Sequence, residues 1–145
     1  ESRGSLELVS SNPTTLMQLR QNFLSTENDR KMLRDGFKVC RHLSEDPALD
    51  EFRSDEVLPG NLVKTDQEID EHIRSTGISV HHPCGTCRMG SDHSSVVDGT
   101  LKVRGIDNLR VADASVMPDI ISGNIQIPVL MIAERASEFI INQRH

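Results

Sequence analysis

The sequence predicts an α+β fold, a sheet backed by helices plus a terminal strand and a buried helix. Three observations point there. A weakly alternating stretch opens the chain. Two segments each begin with Thr three residues before an acid and continue at helical spacing. The last stretch, from Ile125 to Ile141, is apolar at nearly every position.

Taken in order, Ser2 to Val9 alternates Leu6 and Leu8 with Ser5 and Glu7, the period of a half-buried strand. Asn12-Pro13 marks a turn. Thr26 with Asp29 resembles a capping box, and Met32, Leu33, Phe37, Val39, Cys40 and Leu43 follow on one broad helical face. Asp46-Pro47 and Pro59-Gly60 interrupt the chain. Thr65 and Glu68 form a better box, opening a short helix with Ile69 and Ile73 on one side and Gly77 at its end. Ile78–Val80, Val96-Val97, Leu101–Val103 and Leu109–Val111 are strand candidates, with Asp98-Gly99 as a turn between two of them. Ser122, Gly123 and Asn124 precede the final helix, Pro128 is tolerated near its first turn, and its apolar character predicts burial all round.

Composition excludes several classes. The 145 residues carry a formal net charge of −6 without long single-sign runs, which argues against a nucleic-acid surface. No stretch approaches the ~20 apolar residues of a membrane span. Four Phe with no Trp or Tyr make the expected core aliphatic. Three cysteines are too few for a disulfide scaffold, and the odd count favours a reducing compartment, so the cytoplasm is expected. A start at Glu1, with no secretory signal, leads us to expect a processed or excised piece of a longer protein.

The run His81-His82-Pro83-Cys84-Gly85-Thr86-Cys87-Arg88-Met89-Gly90 carries the chemistry. One reading is zinc bound by Cys84, Cys87 and nearby histidines, but structural zinc sites draw a second ligand pair from a separate knuckle, and the sequence has none. A thioredoxin-like pair needs a helix start after the first cysteine, which Arg88-Met89-Gly90 does not provide. The cysteines also read as small buried hydrophobes. Another reading makes a histidine a general base. Pro83 holds His82 extended, Gly85 lets the chain turn behind it, and an imidazole on such a corner suits proton transfer near neutral pH.

Residues 82–90 resemble the H-P-x-G-T-C-x-M-G segment of the glucose-methanol-choline (GMC) oxidoreductases. The resemblance continues through Val97-Asp98, Leu101 to Gly105, Asn108 to Pro118 and Ser122-Gly123-Asn124, and Ser2–Ser5 and the Asp46-Pro47 region fit it too. It implies the C-terminal region of an FAD-dependent enzyme that moves hydride from a CH–OH carbon to flavin N5. By position, His82 is the implied base and Asn124 its non-basic partner, while His81 reads as a supporting or structural residue. Asn124 also reads as a helix cap. Asp113 and Ala114, with Asn124 and Ile125 at the helix start, are the implied cofactor contacts; a turn or cap is the alternative for Asp113. Residues to about 106 would belong mainly to the substrate domain, and those from about 107 to the FAD domain. No G-x-G-x-x-G occurs, so the main dinucleotide-binding turn lies in an N-terminal region outside this chain, the expected partner, without which FAD is not expected to be retained. No resident metal is expected. Surface normally covered by that region makes self-association an expectation as well. The substrate is a small alcohol; Asn124 leans toward choline-dehydrogenase-like members, but the aromatic faces that hold a quaternary ammonium are missing here. Peripheral membrane association of the parent protein stays open.

Overall fold

A computed structural model describes residues 1–143. The chain divides into two compact units, Glu1–Ile78 and Ser79–His145. Among the described residues no helix is long and apolar enough to cross a membrane.

In the first unit, β1 (Ser5–Glu7) lies where alternation predicts it and pairs antiparallel with β2 (Gln18–Arg20), Leu6 opposite Leu19. The sequence reading does not anticipate β2. All six strand residues are exposed. Two strands of three residues offer too little apolar surface to seat a helix, so the expected backing of the sheet by both helices is not what this unit shows. Instead α1 (Glu27–Ser44) packs on α2 (Asp66–Thr76).

The contact between these helices is largely ionic. Residues 30, 34, 37 and 41 recur at helical spacing and are the half-buried positions of α1 between Arg30 and Ser44. Arg34 reaches Glu27, Asp66 and Asp70 at 3.0–3.2 Å. Lys38 adds a second contact to Asp66, at 2.5 Å. Arg41 donates to the Val63 carbonyl and Glu56 and covers the Phe37 ring, which meets His72 edge-on. Ile69 of α2 is fully buried. The predicted apolar face of α1 is therefore not its packing face, since Met32, Leu33, Val39 and Leu43 are exposed.

Both helix starts are capped by Thr, in different ways. Thr26 accepts from the Asp29 N–H, but the Asp29 carboxylate does not return to the cap. It accepts instead from the N–H and hydroxyl of Ser2. At Thr65 the box is complete: Thr65 accepts from Glu68 N–H, and the Glu68 carboxylate accepts from the N–H groups of Thr65 and Lys64. Those bonds lower the Glu68 pKa. Its contribution to stability is thus present above the ordinary carboxylate titration and is lost as pH falls through the lowered value. Thr65→Ala removes one half of the box and is expected to destabilise the unit by about 1 kcal/mol, seen as a lower urea midpoint at unchanged slope. A parental midpoint would mean that the cap adds no stability. Gly77 ends α2 where a Cβ would lie 2.6 Å from the Ile73 carbonyl oxygen.

The second unit is built around Val97, Leu101, Val116, Met117, Ile125, Ile132 and Ala136, an aliphatic core as composition requires. Its predicted strands reduce to single bridges, Met89 with Val97, Val97 with Val103 and Lys102 with Arg110. The Asp98 carboxylate folds the chain by accepting from Thr100 and Lys102 N–H, and Leu101 takes a left-handed φ of 67°. That turn cuts the ladder short. Ile78–Val80 forms no strand, and Ile78 and Val80 are exposed.

The final helix, α3 (Gln126–Asn142), forms as predicted but is not buried all round. Ile132 and Ala136 face the core, whereas Ile127, Leu130, Met131 and Ile141 are exposed. This unit covers one side of α3 only.

Candidate active site

Local backbone rules build the corner that carries His82. Pro83 fixes the residue before it in an extended form. Gly85 follows at φ 89°, where an added Cβ would also meet the Met117 carbonyl oxygen at 3.5 Å. A turn closes behind it, with Arg88 N–H donating to the Gly85 carbonyl.

The chain is then tied down. Cys87 and Met89 donate their N–H groups to the carbonyls of Ser115 and Val116 at 2.9 and 2.8 Å. Those carbonyls sit in a single 3-10 turn, Ala114–Val116, whose first N–H groups need a cap. Asp113 supplies it by accepting from Ser115 N–H at 2.8 Å. The cap predicted as the alternative for Asp113 is present, and the Asp113 and Ala114 carbonyls accept from the N–H groups of Val116 and Met117.

A second set of bonds steadies residues 88–95. Arg88 grips the Asp92 carboxylate with both terminal nitrogens, at 2.7 and 3.0 Å, and the contact holds Asp92 well below the usual carboxylate range. Arg104 donates to the Gly90 carbonyl and to the hydroxyl of buried Ser95. Sequence reasoning missed Ser95, Arg104 and the Ser115 and Val116 carbonyls. Of these only the Ala114–Val116 turn had a legible signal, the D-x-S spacing of an aspartate cap.

On this frame His82 Nε2 lies 3.3 Å from Asn124 Oδ1, joining residues 42 positions apart. The two residues singled out as base and partner are brought together. His82 is half-buried and Asn124 exposed, so a reactant can reach both. An amide can turn its oxygen to a ring N–H or its NH₂ to a ring lone pair. Asn124 can therefore hold the imidazole with or without its proton, as a partner of a general base must.

Asn124 does not serve as the predicted cap of α3. Ile125 is the capping position, and no side chain bonds there. The first N–H groups of α3 have no intrahelical acceptor, and they carry the positive end of its dipole. This opening, next to the pair, suits a negatively charged group.

His81 and His93 are exposed and are not part of the pair. Among the described residues no group of three or more His, Cys, Asp or Glu side chains could hold a metal ion. Zinc binding through Cys84 and Cys87 gains no support from this geometry.

Comparison with known proteins adds an independent finding. A family model described as GMC oxidoreductase, covering that family's C-terminal region, matches residues 1–133. The oxygen-dependent choline dehydrogenase of Vibrio vulnificus is 44% identical over 99% of this chain, which corresponds to 26% of that protein. The crystal structure of pyridoxine 4-oxidase from Mesorbium loti superimposes with a TM-score of 0.89 at 37% identity, over 94% of this chain and 27% of that one. An FAD-dependent oxidoreductase from Chaetomium thermophilum gives a TM-score of 0.91 at 28% identity, over 97% of this chain and 25% of the other. The chain thus spans about a quarter of the length of the relatives it matches.

Proposed function

This chain belongs to the GMC oxidoreductase family, and from that premise we propose that it is the C-terminal region of an FAD-dependent enzyme oxidising a small alcohol at its CH–OH carbon. The observation that carries the reading is the His82–Asn124 contact at the uncapped start of α3. Bound FAD would supply the hydride acceptor, at N5 of its ring.

The chain's own residues do the rest. His82 in its neutral form takes the substrate hydroxyl proton as the C–H bond gives up hydride, leaving a carbonyl product and a protonated imidazole. Asn124 hydrogen-bonds the hydroxyl oxygen and steadies the alkoxide that develops, but as an amide it cannot take the proton. The N–H groups at the start of α3, from Ile125 onward, would favour a negatively charged part of the bound cofactor. The Asp113–Ala114 segment would hold the ribityl and phosphate portion. In the intact enzyme, residues to about 106 serve the substrate domain and those from about 107 the FAD domain.

The alcohol is proposed by class. Several similar proteins are named choline dehydrogenases and one is named a pyridoxine oxidase. This chain has no Trp or Tyr for an aromatic cage. If the substrate is choline, faces for its ammonium must come chiefly from elsewhere in the protein.

Joining this chain to the N-terminal region of a similar choline dehydrogenase and assaying primary alcohols with an artificial electron acceptor tests the reading. Turnover of at least one alcohol is expected, and inactivity of a flavin-loaded protein toward the whole panel counts against it. The isolated chain, mixed with FAD and desalted, is expected to come through colourless, because it has no G-x-G-x-x-G turn for the pyrophosphate. Stoichiometric yellow colour would overturn that expectation.

A further inference from the structure

We propose that His81 is a positioning residue for the reaction and acts through its backbone rather than its imidazole. The inference rests on the reading of His82 as the base. His81 has a φ of 61°, in the left-handed region that side-chain-bearing residues rarely enter and that Asn, Asp and His enter more readily than most. Its side chain is exposed, and the hydrogen bond it makes runs from its backbone N–H to the Ser79 hydroxyl at 3.1 Å.

The two sides of His82 are held differently. After it come Pro83, the left-handed Gly85, the Arg88 turn and the two N–H bonds from Cys87 and Met89. Before it, Ile78–Val80 forms no strand and Ile78 and Val80 are exposed. Pro83 restricts the backbone of His82 on one side, which leaves its φ, and the side-chain rotamer that depends on φ, to the way the chain enters from residue 81. The left-handed turn at His81, held by Ser79, directs that ring to Asn124 at 3.3 Å. Strain of this kind persists where surrounding structure over-determines it, and it gathers at functional sites.

This assigns position 81 a requirement for backbone freedom. Gly enters the left-handed region at no steric cost and Asn at little, whereas Val is strongly disfavoured there. In the FAD-loaded, full-length fusion, the limiting rate of anaerobic flavin reduction is measured for His81→Gly, His81→Asn and His81→Val, with His82→Ala as reference. Gly and Asn are expected within about threefold of the parent and Val about tenfold or more slower, with apparent substrate affinity little changed, since a misplaced base loses rate rather than binding. Ser79→Ala, which frees the His81 N–H, is expected to fall between. A purely structural role would lower the melting temperature without separating rate from affinity. Equal losses for Gly and Val would assign the role to the imidazole and overturn the inference, as would a parental rate for Val. If His82→Ala itself reduces flavin normally, the base assignment fails and this inference with it. If His82→Ala is impaired while the position 81 series is flat, only this inference fails.

Discussion

Replacing His82 by Ala in the flavin-loaded, full-length protein is expected to slow flavin reduction by about 10²–10⁴-fold, the usual cost of a lost acid–base group. The size follows from the absence of a substitute. Asn124 is an amide, and His81 and His93 are exposed and outside the His82–Asn124 pair. Among the described residues of this chain, no other base stands beside Asn124 to receive the hydroxyl proton. Stopped-flow measurement of flavin bleaching under anaerobic conditions checks this, and an unchanged rate rejects the assignment. Because neutral imidazole is the competent form, the parent rate should rise with pH. The alanine variant should lose that rise.

The variant also separates chemistry from folding. The His82 ring is half-buried, and the loop behind it is anchored independently through Cys87, Met89 and the Arg88–Asp92 pair. Loss of the ring should therefore leave the loop and the retained flavin in place. Rate should fall with little change in cofactor content.

How much of this was legible depends on where the information lies. Local signals read well: both Thr caps, the end of α2 at Gly77 and the extent of α3 depend on a few neighbouring residues. The His82–Asn124 pairing was legible through motif order, since each residue marks a distinct segment, though no local rule joins positions 42 apart. The misreadings concern burial. Periodicity shows that α1 has an apolar face, but not that Arg34 would collect Glu27, Asp66 and Asp70 and turn the side of Arg30, Arg34, Phe37 and Arg41 toward α2. The short apolar runs in residues 96–111 read as strand candidates, but side-chain capture of the backbone by Asp98 and the left-handed Leu101 break them into bridges. Asn124 illustrates the same competition, because a residue well suited to capping has its side-chain oxygen turned to His82 instead.

That choice at Asn124 leads to the second large effect. Asn124→Ala is expected to slow flavin reduction by about 10²–10³-fold, comparable to removing one donor from an oxyanion site, while leaving the pH dependence near that of the parent. Asn124→Asp is the sharper test. A carboxylate at 3.3 Å from the ring can only accept, so it holds the proton on Nε2 and favours the charged imidazole. The neutral form needed for proton removal is then disfavoured, and the rise in rate moves to higher pH. Added negative charge beside the developing alkoxide and the start of α3 opposes the reaction further, so full activity is not expected even at alkaline pH. A pH–rate profile of Asn124→Asp superimposable on the parent's would show that the 3.3 Å contact plays no part in setting the base. A slow variant with an unshifted profile would leave Asn124 contacting the substrate oxygen but uncoupled from the His82 proton. An alkaline shift in the Asp variant alone, with loss of rate in both, is the pattern that requires the two side chains to act as one unit.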